Sequence, residues 1–217
     1  METAKQYFIA GHKKQKKGNY EGAIADYNKA IDIDPKYADA YFNRGSAKNS
    51  LHDYQGAIVD YNKAIDIDSK FADAYYSRGL VKSSLKDYAG AINDYTKALE
   101  IDPNDAEAYK GRGLEKSRLK DYAGAVADYS KAIEIDPNDL GAYMSRGLEK
   151  MSFEDYKGTI ADLDMVIKID PKDAGAYYFR GLVKIHTGQK DSGFLDLKRA
   201  NKLGHVGASE AIKKFCQ

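Results

Sequence analysis

The four prolines of the chain, Pro35, Pro103, Pro137 and Pro171, are separated by 68, 34 and 34 residues. All four share one phase of a 34-residue period, with Ser69 in the slot that lacks proline. Such a period decides the architecture before any single residue does, because a unit this short cannot bury an apolar face alone and must stack on its neighbours. Counted from Ala4, copies begin at Ala4, Ala38, Ala72, Ala106, Leu140 and Ala174. Six copies (4–37, 38–71, 72–105, 106–139, 140–173 and 174–207) leave 208–217 as a tail. Places within a copy are numbered here from 1 to 34.

Small residues keep station in every copy. Place 8 is glycine throughout: Gly11, Gly45, Gly79, Gly113, Gly147 and Gly181. Place 20 reads Ala23, Ala57, Ala91, Ala125, Thr159 and Gly193, and place 27 is alanine except for Val166. Glycine costs a helix about 1 kcal/mol relative to alanine, so six in register imply a close approach of two helices, backbone to backbone. Apolar residues recur at helical spacing on either side of a short polar break. Each copy therefore reads as helix A over places 2–14, a tight turn, and helix B over places 18–31, ended by the Asp-Pro pair. Each helix is about 20 Å long.

These residues resemble the tetratricopeptide repeat. The resemblance rests on the period, tyrosine at place 4 (Tyr7, Tyr41, Tyr75, Tyr109, Tyr143, Tyr177), glycine at 8, alanine at 20, tyrosine at 24 and proline at 32. It covers nearly the whole chain and implies an all-α fold, a right-handed α-solenoid of helix pairs with the A helices lining a concave groove. Leu163 and Leu197 depart from tyrosine at place 24, and His205 from the final proline. The tail fits a C-terminal capping helix, with Ala208, Ala211, Ile212 and Phe215 on one side. No such helix precedes Ala4, so residues 4–20 are expected to form an open edge.

Place 7 departs from the family's leucine, reading Ala10 and then Arg44, Arg78, Arg112, Arg146 and Arg180. Place 11, one turn on, is lysine in all six copies: Lys14, Lys48, Lys82, Lys116, Lys150 and Lys184. Buried cations need partners, and place 23 supplies aspartate in every copy: Asp26, Asp60, Asp94, Asp128, Asp162 and Asp196. We expect a structural ladder of bidentate arginine–aspartate pairs. Ala10 in the copy without a predecessor favours pairing between neighbouring copies over pairing within one.

A second stripe on helix A is not needed for A–B packing, and the resemblance turns it into the groove. Place 5 holds Phe8, Phe42, Tyr76, Lys110, Met144 and Tyr178; place 9 holds His12, Ser46, Leu80, Leu114, Leu148 and Leu182; place 12 includes Met151 and Ile185. Side chains on such a stripe either meet a partner or pack between A helices, and an apolar strip of this length favours a partner. Chaperone-binding members of the family hold a C-terminal carboxylate through lysine at 5, asparagine at 9, asparagine at 6 of the next copy, and lysine at 2 and arginine at 6 of the third. The first window here offers Phe8, His12, Asn43, Asp73 and Ser77, of which only Asn43 fits; the window from Lys110 continues Leu114, Ser145, Gly175, Phe179. The clamp is absent.

With 34 basic against 33 acidic residues the chain lacks the basic excess of a nucleic-acid binder. His12–Lys17 is its one dense basic run and reads as a solvated helix end. No apolar run is long enough to span a membrane. The lone Cys216 and the absence of a signal-peptide layout in residues 1–10 point to the cytoplasm. The four histidines are scattered over different places, so no metal ligand set, cofactor site or catalytic constellation is expected. The reading is a non-catalytic module that binds a peptide or helix of a partner protein by apolar contacts. Two alternatives stand beside it: a scaffold that self-associates weakly through the open N-terminal edge, and an idealised repeat array with no natural ligand.

Overall fold

A computed structural model describes residues 3–215. The described residues form thirteen helices and no strand. The odd-numbered helices are α1 (Ala4–Gln15), α3 (Ala38–Ser50), α5 (Ala72–Ser84), α7 (Ala106–Arg118), α9 (Leu140–Met151), α11 (Ala174–His186) and α13 (Ala208–Phe215). The even-numbered ones are α2 (Tyr20–Ile33), α4 (Tyr54–Ile67), α6 (Tyr88–Ile101), α8 (Tyr122–Ile135), α10 (Tyr156–Ile169) and α12 (Lys190–Lys202). The fold is an all-α solenoid of stacked helix pairs, in two compact units, one ending at Glu115 and one beginning at Lys116.

The helices start and stop about one place earlier than the spacing predicts, because the turns set their ends. In four copies the residue at place 15 (His52, Lys86, Lys120, Glu154) sits in the left-handed region at φ 61 to 65°, and glycine takes that place in copies one and six. The amide at place 16 then donates back to the carbonyl at place 11, as from Asp87 to Lys82 at 2.9 Å, closing helix A. The same residue opens helix B: the Asp87 carboxylate accepts from the Gly90 amide at 3.0 Å, with counterparts at Asn19, Asp53, Asp121 and Asp155. At the far end of helix B an aspartate at place 31 accepts from the amide two residues on. Asp68, followed by Ser69, makes this turn as its proline-bearing counterparts do.

Place-8 glycine meets an aromatic ring first and the backbone that its register suggests second, as at Gly45, where a Cβ would stand 3.2 Å from the Ala57 carbonyl. A Cβ on Gly11, Gly45 or Gly79 would lie 2.8 to 2.9 Å from the ring of the place-24 tyrosine, Tyr27, Tyr61 or Tyr95. These rings are at most 1% exposed, so an aromatic edge fills the space that the glycine vacates. Backbones do approach in the sixth copy, where Leu197 replaces tyrosine: a Gly181 Cβ would stand 2.9 Å from the Gly193 carbonyl. In the fifth, with Leu163, the nearest atom to a Gly147 Cβ is the Asp162 Cβ at 3.2 Å.

The arginines meet the place-23 aspartate of their own copy, not that of a neighbour. Arg44 Nε and Nη2 donate to both oxygens of Asp60 at 2.9 and 2.6 Å, and Lys48 Nζ stands 2.8 Å from the same carboxylate. Arg78–Asp94–Lys82, Arg146–Asp162–Lys150 and Arg180–Asp196–Lys184 repeat the triad. The link between neighbours runs through the remaining guanidinium nitrogen. Nη1 donates to place 25 of the preceding copy: Arg44 to Asn28, Arg112 to Thr96, Arg146 to Ser130 and Arg180 to Asp164. The five guanidinium groups of place 7 also lie over the place-4 tyrosine rings of their own copies, 5.3 to 5.6 Å from the centroids. Among the described residues no copy precedes the first. There Ala10 stands in place of the arginine, and Lys14 serves Asp26 at 2.6 Å.

The N-terminal edge is polar. Place 3 is buried alanine in copies two to six, and place 10 is buried Ala47, Val81 and Val183 in three of them. The first copy puts exposed Gln6 and Lys13 there, the chemistry of a solvated end face, which leaves exposed Ile9 as the apolar side chain of that edge. This argues against assembly through residues 4–20. No helix among the described residues is long and apolar enough to cross a membrane. Cys216, on which the expectation of a reducing compartment rests, lies outside the described residues.

Three outcomes follow from this packing. Gly79→Ala drives a methyl into the Tyr95 ring and should cost about 1–3 kcal/mol in urea unfolding despite the helix-propensity gain. Gly147→Ala, whose nearest neighbour is the Asp162 Cβ at 3.2 Å, should cost less than Gly79→Ala. Asp94→Ala strands Arg78 and Lys82 and should cost about 3–5 kcal/mol, whereas Lys97→Ala, removing an exposed ion pair with Glu100, should leave the midpoint where it was. Finally, burial first and then the Asp26 charge push the Tyr27 hydroxyl up to about 12. Burial likewise takes Tyr61 to about 12, with Asp60 adding to the rise and Ser77 opposing it. A folded pKa above the unfolded value means stability that is whole below pH 10 and lost towards pH 12. Absorbance at 295 nm should show tyrosines that ionise only as helicity falls, and Tyr61→Phe should flatten that loss.

Candidate functional site

The odd-numbered helices of the first unit adjoin one another, α1 beside α3 and α3 beside α5, as α11 adjoins α13 in the second. Their stripe at places 5, 9 and 12 is where the candidate residues fall. In the first unit much of it is already used. Phe8 is half-buried, its ring 5.8 Å from Tyr27 and 5.0 Å from Tyr37; Phe42 lies 5.8 Å from Tyr61 and 4.9 Å from Phe71. Both rings belong to the core, wedged between the tyrosine of helix B and the aromatic at place 34. His12 is exposed and stacks against Phe8, and Asn43 donates to the Asp39 carbonyl of its own helix.

Tyr76 packs 5.7 Å from Tyr95; burial chiefly, then Glu107 and Asp105, push its hydroxyl pKa up, with Lys110 opposing. Lys110 is ion-paired to Glu107 at 2.6 Å. Two apolar candidates remain uncovered, Leu80 at 42% and Leu114 at 44% exposure, at the same place one copy apart. Place 12 is partly spent on contacts between A helices: Gln15 donates to Ser46, and Ser83 to Glu115 at 2.6 Å. In the second unit Ser117 donates to Glu149 in the same way. The glutamates at place 10, where copies two, three and six carry small apolar residues, are partners that places 5, 9 and 12 taken alone do not reveal.

In the second unit Met144 and Leu148 are half-buried, and three candidates come together in one cleft of about 520 Å³. Met151, Tyr178 and Leu182, with Val183, Ile185 and Phe215, make its apolar wall. Tyr156, His186 and Lys214 bring its polar groups. Tyr178 is fixed from behind by His205, ring on ring at 3.9 Å and 17°, and the Tyr156 ring lies 4.8 Å from that of His186. A shallower hollow of about 390 Å³ shares Tyr156 and adds Lys157, Ile160, Thr187 and Gln189. Sequence spacing brought the three central residues to this cleft but not the contribution of α10 or α13. One signal was readable. Phe215 stands at the eighth place counted from Ala208, where all six copies have glycine.

Among the described residues no group of His, Cys, Asp and Glu could hold a metal ion. The cleft instead offers an apolar floor with cationic and hydroxyl groups at its margin, a surface suited to binding.

Comparison with known families matches models described as "TPR repeat" over residues 11–51 and 47–85 and "Tetratricopeptide repeat" over 72–105 and 106–139. Together they span more than half of the chain. A search of curated protein sequences gave no significant match. Among solved structures the chain is similar to MamA, at 26% identity over 76% of this chain and 96% of that one, with a TM-score of 0.71. YrrB, described as a TPR protein with an unusual peptide-binding site, is 24% identical over 86% of this chain and 97% of its own, with a TM-score of 0.78. The pilF protein of Pseudomonas aeruginosa is 19% identical over 97% of each chain, also at 0.78. The last two likenesses are of fold alone. Together with the helix pairs repeating every 34 residues, these matches place the chain in the tetratricopeptide-repeat family, one of typically non-catalytic protein-interaction scaffolds.

Proposed function

We propose that the protein holds an extended or helical segment of a partner protein against the face of its odd-numbered helices, chiefly through apolar contacts. The observation that carries this is the exposure of Leu80 and Leu114, 42% and 44%, at one register position of adjacent copies. A leucine that only packed between A helices would be covered, as Val81 is one residue further along α5. In the second unit the binding surface is the cleft around Met151, Tyr178 and Leu182. Phe8 and Phe42 serve the core and drop out of the contact set. Lys110, tied to Glu107, has no place in a carboxylate clamp, and Asp73 would repel the tail that such a clamp takes.

The test compares proteins retained from the source cell by the wild type and by Leu80→Lys/Leu114→Lys. The double variant should lose retained partners by tenfold or more at unchanged melting temperature. Val59→Lys is the control, altering an equally apolar side chain, 60% exposed, on the even-numbered helix α4. Equal loss with the control, or full retention by the double variant, overturns the assignment.

A further inference from the structure

The seventh place is arginine in copies two to six, and it is committed to its own copy's aspartate. Counted from Ala208, Lys214 occupies the seventh place of α13. Among the described residues it has no place-23 aspartate to meet and takes part in no ion pair. Its Nζ lies 5.1 Å above the Phe215 ring, and its side chain lines the 520 Å³ cleft. The cation that elsewhere closes a structural triad is left here beside an apolar cavity.

The rest of the margin brings a second cation, Lys157, which lines the adjoining hollow across Tyr156, while His186 lines the cleft itself. Among the described residues no carboxylate lines either hollow. The nearest in sequence to Tyr156, Asp155, is engaged as the N-cap of α10 with its oxygen on the Gly158 amide. Lys150 and Lys184 are held by Asp162 and Asp196 and lend the cleft no free charge. In a chain balanced at 34 basic and 33 acidic residues, this margin is a local departure.

We infer that the C-terminal cleft takes a linear segment of a partner protein whose apolar anchor is flanked by carboxylates: the anchor lies on Met151, Tyr178 and Leu182, and the flanking acid meets Lys214. The inference rests on the proposed interaction role and narrows it to one chemistry. It differs from the family's carboxylate clamp, since the cation comes from α13 and the anchor supplies most of the buried surface. The charge sets the choice among apolar segments more than the total affinity.

Three labelled synthetic peptides test it by fluorescence anisotropy: Asp-Glu-Leu-Phe-Asp-Glu, its Asn/Gln twin and its Lys twin, each blocked at both ends. The acidic peptide should bind wild-type protein about tenfold more tightly than the neutral twin and lose most of that margin at 0.5 M salt. The basic twin should be weakest. Lys214→Glu, a change at an exposed side chain, should weaken the acidic peptide about tenfold and leave the neutral twin unaltered. Leu182→Asp should abolish both, with helicity checked by circular dichroism. Equal affinity for acidic and neutral peptides, an unchanged acidic peptide on Lys214→Glu, or no binding at millimolar concentration overturns the inference. Leu182→Asp without effect, while Lys214→Glu acts, would instead overturn the apolar groove itself.

Discussion

Everything in this stack depends on a carboxylate that cannot be left alone. Asp60, Asp94, Asp128 and Asp162 are at most 3% exposed, and each would carry a large desolvation penalty without its cations. A bidentate arginine and a lysine answer that penalty, and the arginine's third bond reaches one copy back. Beside it, the place-24 tyrosine of one copy packs against place 10 of the next, Tyr27 on Ala47 and Tyr61 on Val81. A slip by one turn would break these contacts and strip the place-25 acceptor from the guanidinium. The ladder thus adds a directional polar constraint to the apolar register, consistent with the use of buried polar groups to fix one arrangement among several.

How far this was legible in the sequence depends on whether a residue acts alone or through a second place. The period, the two helices and the arginine–aspartate complementarity come from single places read down six copies. Which aspartate an arginine meets does not, because places 7 and 23 face each other within a copy and also lie near the next. Ala10 points towards neighbours for a sound reason, since among the described residues no copy precedes the first. What that copy goes without is the place-25 acceptor, while its aspartate is present and served by Lys14.

Pairs of places hold the rest. Phe8 and Phe42 look like groove residues until place 34 is read beside them: Tyr37 and Phe71 in those two copies, Asp105, Asp139 and Asp173 in the next three. Phenylalanine at 5 occurs with an aromatic at 34, the two rings meeting at a tilt, and place 34 becomes a cap when the partner at 5 is no longer phenylalanine, Asp139 and Asp173 accepting from Ala142 and Ala176. Serine at place 12 and glutamate at place 10 of the following copy likewise travel together, twice. Each half of such a pair, taken alone, reads as an exposed polar or an exposed aromatic. Only the partner reveals that it is spent on the framework, which is why the candidate groove shrinks towards its leucines and the cleft.

The first and last helices of the described chain differ in their outer faces, and the cleft lies beside the last. At the first copy, places 3 and 10 hold exposed Gln6 and Lys13 where copies two, three and six have buried small apolar residues. At the other end α13 covers α12 with Ala208 and Ala211, but it runs only from Ala208 to Phe215 against 13 residues in α11. Over the described residues α13 spans about 12 Å beside about 20 Å of α11, and the cavity lies at the C-terminal half of α11. Leu182, Ile185 and His186 lie in that half and line the cavity, and the last turn of α13 reaches its rim with Phe215 and Lys214. An aromatic can sit at the eighth place here because no tyrosine from a following helix among the described residues claims the space. The ring contact that excludes a side chain from that place at Gly11, Gly45 and Gly79 has no counterpart at Phe215 among the described residues.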